Sequence, residues 1–349
     1  MTMESPVTGE IMTAADQSST QVISSMHLDY VHKVAFDNYG RRMATCSGDR
    51  FVRVWDLTDS GEWHLAAQWQ AHRGAVTSLA WAHPEFGSLL ATCGSDHDAK
   101  IWEERSSNTT PAGSSTATAA SRWTLKAALT EARRAVSCLE FAPRQWGLKL
   151  AVGSADGCVR IYEAIDIMNL AQWPLAATLQ CFEGNKLGCT CLSWCTGRFE
   201  SPTLVVGGSH LIVYRYNDAA RAWQPLMQLP APNKGDVLDA AWSPNVGRRY
   251  HYIASAEDQQ LRIYKLHREM TTETVDKKTK QTHELSLMSS QTVAANAWRC
   301  QWNVTGTVLA SSGDGGIVQL WKADADGQFQ CVSQVQGDLT AGDDMTDHS

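Results

Sequence analysis

Residues 40–57, GRRMATCSGDRFVRVWDL, gather a thiol, a hydroxyl and two carboxylates between Cys46 and Asp56, with arginines on both sides. That set could serve nucleophilic catalysis, in which a cysteine attacks while a positioned base, usually histidine, takes its proton. No such base stands near Cys46 in the sequence, nor near the other dense thiol group at Cys189, Cys191 and Cys195. The arrangement also recurs some forty residues later as LLATCGSDHDAKIWEE. Recurrence is what a structural repeat produces and a single active site does not.

Six segments share the plan, beginning VHKVAF, VTSLAW, VSCLEF, CTCLSW, VLDAAW and WRCQW. Each runs from a short strand ending in an aromatic, through a loop, to an apolar strand and a Ser/Gly/Asp turn, then to a strand closed by Trp or Tyr. The closing residues are Trp55, Trp102, Tyr162, Tyr214, Tyr264 and Trp321, at intervals of 47 to 60 residues. Alternation such as Phe51, Val52, Val54 and Trp55 favours strands, and turns such as SGD and SAD tolerate tight geometry. One small sheet cannot cover both its faces, so neighbours must stack around an axis. The period and the terminal Trp-Asp are the signature of a WD-repeat β-propeller, an all-β fold of six blades. The fourteen tryptophans then become plugs between sheets.

In this frame Cys46 is strand filler, equivalent to Cys93, with Val152 near the same place in the third unit. Asp49, Asp96, Asp156, Asp258 and Asp314 fall at equivalent turns, where a carboxylate accepts backbone N–H bonds. His72 with Asp96 and Trp102 fits the hydrogen-bonded tetrad of such repeats, His27 serves the first unit, and units three to six lack the histidine. Cys189 and Cys191 alternate along a strand with no second pair of ligands, which is not zinc spacing. NKGD at 233–236 matches a guanine-reading tetrapeptide, but no phosphate-binding loop accompanies it. The sequence thus predicts no catalytic residue, cofactor or metal, and points to binding.

Composition agrees. With 43% hydrophobic and 19% charged residues the chain is globular, and a net charge of −7 argues against a general nucleic-acid grip. The first residues carry no secretory pattern, and no apolar run approaches the ~20 residues that span a bilayer. The ten cysteines follow no disulfide framework, which predicts reduced thiols in cytosol or nucleus. Residues 1–20 and the acidic 338–349 read as disordered tails around a 21–337 propeller, and the insertions 104–121 and 267–283 read as mobile surface loops.

A strand count raises a further expectation. Each unit is followed by a run suited to a fourth, outer strand, the sixth included (QFQCVSQVQG), yet a similar run, STQVISSM, precedes the first. A closed ring would use only one of them. The surplus predicts an open ring, with Val22, Ile23 and the flanking edges available to a partner that adds strands. The rival expectation is a closed WD adaptor that presents its top surface to peptides.

The stretches DNYGRRMATCSGDRFVRVWD, TSLAWAHPEFGSLLATC, ADGCVRIYEAIDIMNLAQWPL, SPNVGRRYHYIA and WNVTGTVLASSGDGGIVQLWKA resemble the Sec-thirteen-homologue nucleoporins over about residues 21–337. AHPEFG and EAIDIMNLAQW are specific to that family among WD repeats. The resemblance implies an open six-bladed propeller whose seventh blade comes in trans from an α-solenoid nucleoporin of the Y-complex short arm, the eighty-five class. It implies other Y-complex nucleoporins as neighbours, a place at the nuclear envelope, and support of protein and mRNA transport. It also implies a second solenoid partner in a vacuolar or lysosomal coat-like complex that tunes TOR amino-acid signalling. The related COPII coat propeller shares the open architecture. Neither direct nucleic-acid contact nor membrane insertion is implied.

Overall fold

The computed structural model describes residues 23–105, 122–182, 184, 188–197, 200–230, 236–245, 247–257, 260–275, 278–295, 297–313 and 316–336, with backbone alone at 268–275, 278–284 and 294–295. Val22, Asp258, Asp314, most of the 104–121 insertion, residues 233–235 and both terminal tails lie outside these residues.

Period-two patterning folds residues 31–70 into four antiparallel strands, Val31–Phe36, Arg42–Ser47, Phe51–Leu57 and Trp63–Gln70. The corner between the second and third strands is taken by Arg50 at φ 73°, and the same corner by His97 and Gly157 at φ 73° and 83°. That left-handed region favours glycine. At Gly157 a side chain is also excluded, because a Cβ would stand 1.9 Å from the Phe182 carbonyl oxygen.

The plan repeats five more times, giving six four-stranded sheets over 31–70, 76–129, 136–180, 191–229, 237–295 and 297–336. In each, sequence order is spatial order, from an innermost strand outward. Together they form a six-bladed propeller of WD repeats. The expected outer strands are present, including Phe329–Gln336 on the sixth sheet. Residues 23–30 form no strand, so within the described residues no N-terminal strand completes the last blade.

The described part of the 267–283 insertion is strand: Gln260–Val275 and Lys278–Ala295 pair antiparallel out to Val275 and Lys278, with register shifts at Leu261/Arg262 and Lys265/Leu266. Their Thr- and Val-containing run MTTETV has strand propensity, and the hairpin already begun by the fifth blade offers it a template, so the insertion extends existing strands.

Five apolar layers join the six sheets. Val52 and Val54 of the first sheet pack with Val76 and Leu79 of the second, and equivalent clusters join the second to third, third to fourth, fourth to fifth and fifth to sixth. No such cluster joins sixth to first among the described residues. The position three residues before the closing aromatic shows this directly. Val52, Ala99, Val159, Leu211 and Leu261 are buried there, whereas Val318 is 37% exposed. On the other side of the seam, Val31, Val34 and Phe36 are 39%, 45% and 55% exposed, while Val136, Leu139 and Phe141 in the third sheet are buried.

Val159→Ala should therefore lower the unfolding free energy of the isolated protein by about 2 kcal/mol, from lost methyl burial and the cavity left. Val318→Ala at the matching position should move the denaturation midpoint far less, since Val318 is 37% exposed and no neighbouring sheet covers it among the described residues.

Candidate functional site

Two complete side-chain relays brace the first blades. In the second, Trp102 Nε1 donates to Thr92 Oγ1 (2.9 Å), His72 contacts Thr92 through Nε2 and Asp96 through Nδ1 (2.8 Å each), and Asp96 accepts the Arg73 N–H (2.9 Å). In the first, Trp55, Thr45, His27 and Asp49 repeat the pattern at 3.3, 2.9 and 2.9 Å, and Asp49 accepts from Phe51 and Leu28 N–H. Residue types missed by sequence reading replace the histidine elsewhere. Tyr162 donates to Glu131 (2.8 Å) while Asp156 holds Arg160 and two backbone N–H groups. Tyr264 donates to Glu257 (2.8 Å), which also receives Ser255. Tyr214 reaches the Gln180 carbonyl (3.5 Å), and Trp321 donates to Ser311 (2.9 Å). The signal for these substitutes was available: a carboxylate stands about thirty residues before Tyr162, and another seven before Tyr264.

Cys46 and Cys191, the thiols that drew attention in the sequence, show no nucleophilic poise. Cys46 is fully buried, and burial pushes its thiol up to about 12; a thiol that stays protonated is a poor nucleophile. Burial likewise raises Cys191 well above its ordinary value. Cys195, Glu200 and His251 are close enough to hold a cation, but their hydrogen bonds define another role. Trp242 Nε1 donates to His251 Nδ1 (3.3 Å), so Nε2 carries the proton and donates to Glu200 (2.6 Å). A metal at Nε2 would displace that proton while Nδ1 still faced an N–H donor. The trio is a structural relay.

A central channel of about 540 Å³ is lined by the innermost strands of all six sheets. Lys33, Glu140, Asp239 and Arg299 face it, with Arg299 3.8 Å from Asp239. Burial raises the Glu140 carboxyl to about 7, while its carboxylate accepts the Trp194 N–H of the next blade (3.2 Å). Asp239 accepts the Cys300 N–H (3.0 Å) and Ser193 the Trp242 N–H (3.1 Å) in the same manner. These polar groups bolt neighbouring sheets together. Only the sixth sheet adds its second and third strands to the lining, at Ala310, Ser311, Ser312 and Val318, because no sheet covers that face.

The joints themselves follow a rule. Trp81, Trp194 and Trp302 donate their indole N–H to the carbonyls of Ala35, Glu140 and Ala241 on the preceding sheet, at 3.0 to 3.1 Å. In the reverse direction, Thr77 and Thr190 donate hydroxyl bonds to the Val136 and Val237 carbonyls of the following sheet, at 2.6 and 2.5 Å, and Ser137 does so to Cys189. At the seam the first sheet carries Phe36 where those tryptophans stand, a ring with no N–H to donate. The exposed apolar faces and the unmade joint coincide, and this seam is the candidate site.

Comparison with known proteins identifies the lineage. A family model for the WD domain, G-beta repeat, matches residues 19–56 and 63–103. The chain is 40% identical to nucleoporin SEH1 of Xenopus tropicalis over 337 residues, spanning 90% of this chain and 88% of that protein. Nucleoporin SEH1 of Homo sapiens is 40% identical over 333 residues, with the same shares covered. The chain belongs to the SEH1 nucleoporin family. A chain in a crystal structure of the mitotic checkpoint complex superposes with TM-score 0.59 at 18% identity, covering 84% of this chain and 74% of that one, a likeness of fold alone. Against that background the seam of this SEH1-family propeller marks where it differs from a closed ring.

The relays set a pH dependence. Burial opposes ionisation of Asp49, but N–H groups of Phe51 and Leu28, the His27 ring and Arg53 hold it well below the usual carboxylate range; Asp96 is lowered likewise by Arg73 N–H and His72. Burial lowers His27 and His72 below 6.5. In every case the unfolded chain binds the proton first, so stability is present above the unfolded values and falls with pH. Urea denaturation should show stability dropping from pH 7 to pH 5 through the histidines, then more steeply below about pH 4 through the aspartates. His72→Gln should flatten the upper part of that slope.

Proposed function

We propose that this chain is a non-enzymatic scaffold propeller of the nuclear pore, and that its open seam receives a blade from an α-solenoid nucleoporin of the Y-complex short arm, the eighty-five class. One observation carries the reading: positions buried or partly buried at the other five joints, Val318 on one side and Val31, Val34 and Phe36 on the other, are exposed here. Apolar faces of this kind are covered by a partner or invite aggregation. A blade-shaped insert covers both faces at once and supplies the strands that a seventh sheet requires. The interface would exceed ~2,000 Å², in the range of obligate complexes. A closed WD adaptor would bury these same residues within its own ring, so the open seam favours the scaffold.

Placement among other Y-complex nucleoporins at the nuclear envelope, and support of protein and mRNA transport, follow from that role and from the SEH1 relatives. The second solenoid partner, in a vacuolar or lysosomal coat-like complex regulating TOR signalling, would use the same slot; one seam holds one blade, so the two assemblies would draw on separate pools. Contact with nucleic acid or membrane would be indirect. Ile23, half-buried and unpaired in the segment leading to His27, and Val22 before it are proposed to contact the inserted blade.

Co-expression with the solenoid nucleoporin should yield a one-to-one complex that persists at about 1 M salt, where screening leaves a Debye length of ~3 Å. Val318→Asp should abolish the complex while the variant alone melts like the wild type. Recovery of salt-sensitive peptide binding only, with Val318→Asp without effect, would overturn the reading.

A further inference from the structure

The seam holds one residue that breaks the joint rule on its open side. In five of the six sheets the register of the innermost strand slips between two residues, leaving His32, Thr77, Ser137, Leu238 or Trp298 as the unpaired residue of a bulge. A bulge re-aims its side chain. At Thr77 and Ser137 that aim is toward the following sheet, where the hydroxyl meets a main-chain carbonyl; Thr190, the matching residue of the fourth sheet, does the same. Leu238, facing the sixth sheet, is half-buried. Trp298 occupies this place in the sixth sheet. It faces the seam, 50% exposed, and is the largest residue found at the position.

Three residues on, Gln301 repeats the theme. Its main-chain carbonyl corresponds to those of Ala35, Glu140 and Ala241, which receive a tryptophan N–H from the following sheet. Among the described residues no tryptophan N–H from another sheet reaches it. Its side chain is exposed at the position from which Glu140 and Ser193 accept an N–H of the next strand. The innermost strand of the sixth sheet thus carries both halves of a joint that nothing closes among the described residues.

Resting on the reading of the seam as a blade-receiving slot, we propose that Trp298 is the specificity-determining contact for the innermost strand of the inserted blade. The indole packs on that strand and donates its Nε1–H to a main-chain carbonyl, the bond that hydroxyls make within the ring, while Gln301 receives the strand's donors. An indole reaches further from its Cα than a hydroxyl does. The joint it forms is wider than those within the ring, so it accepts a foreign strand and is too bulky for the close approach by which one sheet of this chain meets the next. Exposed tryptophans centred in an interface are also the residues most often found to dominate binding.

The test compares four variants of the full chain, each titrated against the purified α-solenoid nucleoporin with its strand-forming segment intact. Trp298→Ala should weaken affinity at least about tenfold. Trp298→Phe, which keeps a ring and loses the N–H, should fall between it and the wild type, and Gln301→Ala should weaken binding less. Val318→Asp is the control that abolishes occupancy of the slot. All four should melt like the wild type alone, because their side chains lie on an uncovered face. Wild-type affinity in Trp298→Ala, with Val318→Asp still abolishing binding, would overturn the assignment of Trp298 and leave the slot standing. Wild-type affinity in Val318→Asp as well would overturn the slot itself.

Discussion

Everything in this molecule depends on one constraint: a four-stranded sheet has two faces, and each must be covered by a neighbour. A blade's strands bury Val52 and Val54, or Val159 and Ile161, only because the next blade presses against them. Apolar burial contributes roughly 25 cal/mol for each Å² removed from water, and it is supplied joint by joint. Hydrogen bonds between innermost strands set the spacing and angle of each joint, while the relays at the outer turns hold each hairpin in shape. The six-sheet ring satisfies the constraint five times and leaves it unmet once.

The unmet joint explains features that look unrelated one at a time. Phe36 stands where the second, fourth and sixth sheets carry a tryptophan that donates to the preceding sheet, and like Phe141 of the third it has no indole N–H to give. The sixth sheet keeps its own outer strand, Phe329–Gln336, so no strand must be borrowed from the N-terminus to close the ring. The channel is lined by three strands of the sixth sheet and by one of each other sheet. Buried charges follow the same logic: Glu140 and Asp239 each accept a backbone N–H from the next blade, which offsets the cost of burying them where a bare carboxylate would be unfavourable.

The site residues were legible to different depths. Asp49, His72, Asp96 and Trp102 could be read from spacing because their relay joins residues within one repeat and its leading segment. Glu131 and Glu257 escaped because a carboxylate facing a tyrosine does the work of histidine and aspartate facing tryptophan, and the repeat pattern does not mark that exchange. The 267–283 insertion looked like a loop because it is charged and breaks the period. Its strands form because the flanking fifth blade hands them a register, a cause that lies outside the insertion.

Repeat length, strand alternation and turn residues are local properties, and the sequence by itself determined six blades, their strand order and the structural standing of Cys46. The surplus strand expected at STQVISSM is not seen, since its described residues form no strand. The position of the seam and the side chains along it came from the three-dimensional arrangement, because Val318, Val34 and Trp298 are exposed where no neighbouring sheet stands among the described residues. Those residues have the same types as their buried counterparts or fit a strand equally well. What separates them is whether a neighbour covers them, and no single repeat carries that information.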